Sequence, residues 1–320
     1  INTTTLSNGI RIIVESVANA GKTSLQCSFG VGSQNEPREL NGLAHLTEHA
    51  FFLGTKNRSQ KEIRHIENQL GITLNAETTQ DNISFIADVL PEDLSTVLDV
   101  FADMIQNPAF PKELLQKEKK IILTEIKDVQ EDDENTADNL LYNASFKRTP
   151  LGLPTEGSVK TIKDITAQDV QDFYHRFFCP EDLIISVAGE VDFESFATQC
   201  ERLFGQFEKG GVQPAVSPSP YLGGDRRIEL AGETDLFRMG FQSVPLKDSR
   251  SFAIAEICSD ILEENLFEEI RENKGLLYAI HADNWFHGQN SVLCVSASCE
   301  SQKTSTVLRE VCGVLNHFEQ

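Results

Sequence analysis

Apolar residues recur at helical spacing in the first half of the chain. From Pro111 to Val129 they return at intervals of three, four and seven residues, which predicts an amphipathic helix. Glu118 and Glu125 are seven residues apart on this stretch, so they fall on one helical face beside isoleucines. A buried acid is costly unless it is paired or bound to a metal, so this helix is a candidate source of a metal ligand. The alternative is that both acids lie at the margin of a solvated face.

Shorter apolar runs between turn residues predict the strands of the first half. These runs cover residues 10–14, 24–29, 72–79, 82–90 and 183–188. Three further helices are indicated by their ends. A capping box begins one helix at Ser59 and Gly71 ends it, Pro91 begins a second, and Thr166 caps a third.

A segment rich in glycine, proline and serine, residues 210–224, is predicted to be a linker. It separates a first domain, residues 1–209, from a second, residues 225–320. After the linker the order of elements restarts, with strands expected at 227–230, 236–242, 277–284 and 291–297, and helices at 250–262, 266–274 and 301–318. The second domain is less than half as long as the first, so we expect it to be incomplete at its C-terminus. The pattern predicts two similar α+β domains.

The charge balance is strongly acidic, with 28 basic against 49 acidic residues and a net charge of −21. Such a surface repels nucleic acid and anionic membranes, so neither is an expected partner, and it attracts basic peptides. No apolar run is long enough to span a membrane, and no signal peptide is expected at the start of the sequence.

Seven cysteines are widely spaced, mostly within apolar runs, and none belongs to a Cys-x-x-Cys motif. An odd number of such cysteines is typical of a reduced, intracellular protein and argues against a cysteine zinc site. The expected location is therefore the bacterial cytoplasm. The alternatives are the mitochondrial matrix or the periplasm, if a targeting peptide has been removed.

The sequence His45-Leu-Thr-Glu48-His49 lies in a stretch predicted to be helical. On a helix, residues i and i+4 share a face, so His45 and His49 can present two imidazole nitrogens to one metal ion. Glu48 is close enough to act on a water at that metal without binding the metal itself. His-x-x-Glu-His is the inverted zincin motif, with the glutamate as candidate general base. The structural alternative is a packed or surface histidine pair.

Together with Glu125, which follows after 75 intervening residues, this motif resembles that of the pitrilysin or insulinase-type metallopeptidases. The chain is most similar to bacterial processing proteases of the mitochondrial-processing-peptidase kind. The resemblance implies one Zn²⁺ per chain, with His45, His49 and Glu125 as ligands and Glu48 activating the water. It also implies that Glu118 supports the site from outside the ligand set.

The same resemblance assigns substrate contacts. Asn75 and Ala76 match an edge strand to which an extended peptide adds by backbone pairing. Arg271 and Tyr278, in the second domain, match a pair that reaches the substrate carbonyl and its developing oxyanion. The implied architecture is a clamshell of two domains, each a mainly antiparallel sheet with helices packed on it.

Mitochondrial processing peptidases carry two acids after the glutamate ligand that hold an arginine of the presequence. The matching positions here are Asn135 and Asn139, but a shift of one residue puts Glu134 and Asp138 in their place. We therefore predict that Glu134 and Asp138 bind a basic residue of the substrate near the cleavage site.

The function expected from these residues is that of a zinc metalloendopeptidase acting on unfolded peptides or presequences. One alternative is a general oligopeptide-degrading peptidase. Another is a non-catalytic partner or scaffold subunit of the same family. The implied assembly is a homodimer, or a heterodimer with a homologous subunit.

Overall fold

The computed structural model describes residues 1–208, 219–245 and 248–318. Contacts within the chain define two compact units. Unit 1 comprises Ile1–Ile126 and Pro154–Ala215, and unit 2 comprises Lys127–Leu153 and Val216–Gln320. The predicted linker lies mostly outside the described residues, and the predicted domain boundaries stay a prediction.

The described residues form nine strands and ten α-helices. The strands are β1 (Asn2–Thr5), β2 (Arg11–Ser16), β3 (Thr23–Phe29), β4 (Asn75–Thr78), β5 (Ile83–Val89), β6 (Leu183–Gly189), β7 (Thr234–Gln242), β8 (Ala279–His287) and β9 (Asn290–Glu300). The helices are α1 (Leu43–Phe51), α2 (Gln60–Leu70), α3 (Leu94–Gln106), α4 (Lys112–Glu131), α5 (Asp133–Phe146), α6 (Val159–Asp164), α7 (Ala167–Phe177), α8 (Phe193–Phe204), α9 (Ser249–Leu266) and α10 (Thr304–Phe318).

Unit 1 is built on a sheet with the strand order β1-β2-β6-β3-β5-β4. All neighbouring strands are antiparallel except β2 and β6, which are parallel, so the predicted mainly antiparallel sheet is confirmed. Leu25, Cys27 and Phe29 of β3 are fully buried while Gln26 is exposed, because successive side chains of a strand point to opposite faces. The sheet thus buries one face beneath helices, and β4 lies at its edge.

An aromatic cluster in unit 1 surrounds Phe51, at the end of α1. The ring of Phe51 packs against those of Phe85, Phe110, Tyr174 and Phe178, with centroids 5.0 to 5.9 Å apart. Edge-on and tilted ring pairs at such distances add to the free energy gained by burying the rings. The cluster joins α1 to the sheet and to α7, so it determines where α1 lies.

Unit 2 has a three-stranded antiparallel sheet of order β7-β9-β8. Val295 and Ala297 of β9 belong to the core formed with α9 and α10. Val292 and Cys294 of the same strand pack instead with residues of α5 and the segment after it. The sheet is therefore covered on both faces, and α5 belongs to unit 2 although it follows α4 directly in sequence.

One prediction about the second half is wrong, and the helical segment expected at 266–274 differs in type and in its start. Residues 227–230 form no strand, no described strand pairs with them, and Ile228 and Leu230 are 50% and 59% exposed. The separate helix expected at 266–274 is instead a π-helical turn, Phe267–Glu272, that continues α9 without a break. The backbone at Leu266 stays helical, so no cap separates the two. The remaining predicted strands and helices are present, with shifted ends.

The cysteines and the helices bear on two further expectations from the sequence: that the cysteines are reduced, and that no segment spans a membrane. All seven cysteines are free, and five of them are buried. Among the described residues, no helix is both long and apolar enough to cross a membrane.

The loop after α1 is attached to α3 through one buried carboxylate, that of Asp103. Its oxygens accept hydrogen bonds from Thr55 Oγ1 at 2.7 Å, Asn57 Nδ2 at 2.6 Å and Arg58 Nη1 at 2.7 Å. Burial alone would raise the pKa of Asp103, but these hydrogen bonds outweigh it and hold the pKa below its usual value. Asp103 therefore fixes the chain immediately beyond α1.

Replacing this carboxylate tests the attachment. We expect Asp103→Asn to lower the free energy of unfolding by about 2 kcal/mol at pH 7, since charge-assisted hydrogen bonds to a buried group are lost. A depressed pKa contributes stability that is present above the unfolded-state value, near 4, and is lost as pH falls through the folded-state value. The difference between variant and parent should therefore shrink towards pH 2 in urea titrations. Asp99→Asn, which removes the more exposed partner of Arg58, should cost less than about 1 kcal/mol.

Candidate metal centre

The start of α1 is held by a buried glutamate that the sequence analysis did not single out, Glu36. Its Oε1 accepts from the Gly42 backbone N–H at 2.8 Å and from Asn41 Nδ2 at 2.7 Å, and its Oε2 accepts from the Ala44 N–H at 2.9 Å. Burial raises the pKa of Glu36 to about 7, and these hydrogen bonds act against that rise. A carboxylate at this position satisfies N–H groups that have no partner within the helix. Glu36 thus fixes where α1 begins.

The helix presents two different faces. Leu46, Ala50 and Phe51 are fully buried in the core of unit 1. His45 and His49 lie on another face, with about a sixth of each side chain exposed and ring centroids 4.7 Å apart. The predicted spacing therefore brings both imidazoles to one place.

Helix α4 carries the two predicted acids to the same place. Glu125 Oε2 lies 3.5 Å from His49 Nε2 and 4.0 Å from His45 Nε2. Glu118 Oε2 lies 3.3 Å from the other nitrogen of His49, Nδ1. A carboxylate on the second nitrogen is the arrangement that orients a metal-ligating histidine. The structure therefore places one acid towards the possible metal position and the other behind His49.

A lysine that the sequence analysis missed fixes α4. Lys119 is buried and its Nζ donates to the carbonyl oxygens of Lys163 at 2.9 Å and Ile165 at 2.6 Å, at the end of α6. Burial lowers the pKa of Lys119. A cation at a helix C-terminus is favourable because carbonyl groups there have no partner within the helix. This contact connects α4 to α6 beside the predicted site.

The residues fit a zinc ion. Ligand atoms of His45, His49 and Glu125 all lie within 4.8 Å of one another, and no other group of this kind occurs in the described part of the chain. Two ligands bound tetrahedrally to zinc at about 2.0–2.1 Å are about 3.4 Å apart, close to the 3.5 Å between Glu125 Oε2 and His49 Nε2. Among the described residues, Glu125 Oε2 is a buried oxygen without a hydrogen-bond partner. Burial, with His49 nearby, lowers the pKa of His45 to about 4, so this ring is neutral at pH 7, as a metal ligand must be.

The predicted base, Glu48, lies on the same helix and is 8% exposed. Its Oε2 accepts a 2.6 Å hydrogen bond from Thr78 Oγ1 of β4. Burial is the main effect on the pKa of Glu48 and raises it, and the hydrogen bond from Thr78 opposes that rise. Thr78 was not among the predicted site residues, because a contact between a helix and a strand thirty residues away leaves no local signal.

A cavity of about 490 Å³ opens at these side chains. Its walls come from α1, α2, β4 and α4, and Asn75 and Ala76 of β4 line it, as do His45 and Glu48. Because β4 is the last strand of its sheet, no described strand pairs with its outer edge. The predicted substrate strand therefore lies at a sheet edge and next to the predicted metal ligands.

In unit 2, the two residues predicted to reach the substrate carbonyl, Arg271 and Tyr278, contact each other. Arg271 Nε donates to the carbonyl oxygen of Tyr278 at 3.0 Å, and the guanidinium lies 4.7 Å from the ring centroid of Phe267. Tyr278 is 63% exposed. Their contact with substrate stays a prediction.

Glu134 and Asp138, predicted to bind a basic residue of the substrate, both contact an arginine of unit 2. Arg238 Nη2 bonds Glu134 Oε2, and Arg238 Nε bonds Asp138 Oδ1 at 2.6 Å. The Arg238 side chain is only 8% exposed. A substrate arginine would therefore have to compete with Arg238 for these carboxylates, and their role in substrate binding stays a prediction.

Comparison with known proteins gives one family match for each half of the chain. Residues 11–159 match the family described as insulinase (peptidase family M16), and residues 164–320 match the family described as peptidase M16 inactive domain. A protein of Rickettsia felis named as a zinc protease is 30% identical over 314 residues, which are 97% of this chain and 76% of that protein. The chain belongs to the M16 peptidase family. A protein of Bacillus subtilis named as a zinc protease is 27% identical over 319 residues, which are 97% of this chain and 77% of that protein.

Two solved structures share the fold. A peptidase M16 inactive domain from Pseudomonas fluorescens superimposes with a TM-score of 0.87 at 17% identity, covering 99% of this chain and 78% of its own. A protease from Helicobacter pylori gives a TM-score of 0.81 at 18% identity, with 99% and 79% covered. The M16 membership identifies a metallopeptidase family whose relatives are named zinc proteases, and the predicted family is confirmed.

The carboxylate of Glu36 provides a test of how α1 is held. In Glu36→Gln one acceptor oxygen becomes an NH₂ group that faces backbone N–H groups, so we expect a loss of about 2 kcal/mol in unfolding free energy. Zinc affinity should also fall by about 10-fold, because the ligands on α1 are less well held. Calorimetry and competition with a zinc chelator measure the two effects. Glu39→Gln makes the same chemical change at an exposed position and should alter neither value; equal effects of both variants would contradict this role for Glu36.

Proposed function

We propose that this chain is a zinc metalloendopeptidase that hydrolyses peptide bonds in unfolded peptides. One observation carries the proposal: the three candidate ligands, the buried carboxylate of Glu48 and the free edge of β4 all border one cavity in unit 1. Membership of a family whose relatives are named zinc proteases supports it.

His45, His49 and Glu125 would hold one zinc ion per chain. Two nitrogens and one oxygen leave a fourth position open, as in catalytic rather than structural zinc sites. When bound, zinc supplies a Lewis acid that makes a water more acidic and polarises the peptide carbonyl group. Glu118, at 3.3 Å from Nδ1 of His49, holds that ring in orientation for binding through Nε2.

Glu48 acts as the general base in this proposal. Its carboxylate accepts a proton from the water whose oxygen attacks the carbonyl carbon of the peptide. The same carboxyl group then delivers the proton to the nitrogen of the departing amine as the C–N bond breaks. Thr78 holds one oxygen of Glu48, which leaves the other to exchange the proton.

The substrate binds as an added strand along β4. On its inner side β4 pairs with β5 in antiparallel register, from Asn75 opposite Ile86 to Thr78 opposite Ile83. The backbone groups on its outer side are available to an extended peptide. This mode recognises backbone rather than sequence, so it suits unfolded segments of many sequences. Strands that are already paired on both sides within a folded protein cannot bind in this way.

Removing the base while keeping the metal tests the proposal. We expect the parent and Glu48→Gln each to retain one zinc per chain by elemental analysis. Hydrolysis of an internally quenched peptide by the variant should fall by about 10²- to 10⁴-fold, the range for loss of a general base. His49→Ala should lose zinc as well as activity.

Two results would contradict the proposal. Equal hydrolysis by the parent and Glu48→Gln would show that Glu48 is not the base. A zinc-loaded parent that cuts no unfolded peptide would favour the alternative of a non-catalytic partner subunit.

The hydrogen bond from Thr78 to Glu48 gives a second prediction. Thr78→Val keeps the shape of the side chain but removes the hydroxyl, so we expect kcat to fall by about 10-fold, equivalent to about 1.4 kcal/mol, with KM changed much less. Thr78→Ser restores the hydroxyl and should restore most of kcat. Thr47→Val removes a buried hydroxyl next to Glu48 that bonds Leu43 instead, and it serves as the control. If Thr47→Val and Thr78→Val lower kcat equally, Thr78 has no special role in orienting the base.

A further inference from the structure

One wall of the metal cavity has no role in the proposed chemistry. It is formed by α2, whose residues Gln60, Ile63, Arg64 and Glu67 line the cavity. Their spacing of three, four and seven residues places them on one face of the helix. The wall therefore presents a continuous row of side chains to any peptide bound beside β4.

The row combines an apolar floor with a polar rim. Ile63 and Leu74 are 1% and 4% exposed, and Phe52 is partly buried beside them. Gln60 and Arg64 lie further out, and Arg64 is exposed. A substrate side chain that lies along this row contacts carbon atoms at the floor and a guanidinium group at the rim.

The two charged residues of this row differ in what they already bind. Glu67 Oε1 accepts a 2.9 Å hydrogen bond from the Leu74 backbone N–H and so holds the start of β4. Arg64 forms no ion pair with any residue in the described ranges, and it is the only lysine or arginine among the described residues that line the cavity. Its guanidinium is therefore available to a ligand.

We propose that α2 forms a side-chain subsite that selects an acidic residue of the substrate next to the scissile bond, with Arg64 as the residue that determines the preference. The inference rests on the proposed function, because it concerns a peptide bound in the same cavity. The methylene groups of a glutamate contact the apolar floor, and its carboxylate accepts hydrogen bonds from the planar guanidinium.

One other charge of the cavity, Glu67, lies in the same row, where its carboxylate is bonded to the Leu74 backbone N–H, and the remaining acids come from other elements. Glu118 and Glu125 come from α4 and lie against the histidines of α1, and Glu48 is bonded to Thr78. Arg64 is thus a local cation in a strongly acidic protein. The expected preference is the opposite of the one that the net charge of −21 predicts for the surface as a whole.

Charge reversal at Arg64 tests the subsite. The probes are internally quenched peptides without other charged side chains that differ at one position near the cleavage site, which carries Glu, Gln or Lys. For the parent we expect kcat/KM to be about 3- to 10-fold higher with Glu than with Lys at one such position, and in Arg64→Glu this order should reverse. The same comparison is made by fluorescence anisotropy on zinc-loaded Glu48→Gln, with and without Arg64→Glu, so that binding is measured apart from hydrolysis.

The matched control is Lys61→Glu, which makes the same change of charge on the same helix at a residue that does not line the cavity. In this control, the ratio of kcat/KM for the Glu peptide to kcat/KM for the Lys peptide should equal that of the parent. An unchanged ratio in Arg64→Glu, or an equal shift in Lys61→Glu, would overturn the subsite. If the parent binds peptides but cuts none, the proposed function fails, while the anisotropy ratios still decide the role of Arg64.

Discussion

The buried carboxylate of Glu36 is the contact on which the geometry of the candidate site depends. Helix α1 has only nine residues, too few to be stable alone, so tertiary contacts must fix both its ends. Glu36 holds the first turn, and Gly42 lies so close to the neighbouring loop that a Cβ there would be 2.8 Å from the carbonyl oxygen of Glu156. With its start fixed from two sides, α1 can present its histidines in one direction.

Helix α1 has one face in the core and another at the candidate site, so a change in core packing also affects the candidate ligands. One face packs Phe51 among four other rings, and another face carries the candidate ligands within about two turns of it. Interiors are close-packed, so a change of volume at Phe51 must be accommodated by moving the helix. A shift of a few tenths of an ångström there would reach His45 and His49 undiminished, because a helix moves as a rigid body. The packing of the aromatic core therefore bears on the position of the candidate metal ligands.

The features that could be predicted from the sequence are those with a local pattern of residues. Three features are each encoded within a few turns of helix, and all are present in the structure. They are the spacing of His45, Glu48 and His49, the capping box at Ser59 and the long periodic stretch of α4. Contacts between distant segments leave no such pattern, so Glu36, Thr78, Lys119 and Arg64 were missed. The strand expected at 227–230 failed for a related reason: an alternating segment becomes a strand only if a partner lies beside it.

The position of β4 at the edge of its sheet also bears on association between copies of the chain. An edge that accepts an extended peptide also accepts the same edge of another copy, which is a route to aggregation. Here the edge is only four residues long and carries the exposed carboxylate of Glu77, so two copies aligned along it would bring like charges together. The overall charge of −21 adds a long-range repulsion between molecules. The short length of β4 and the charge of Glu77 therefore disfavour pairing between copies of this chain.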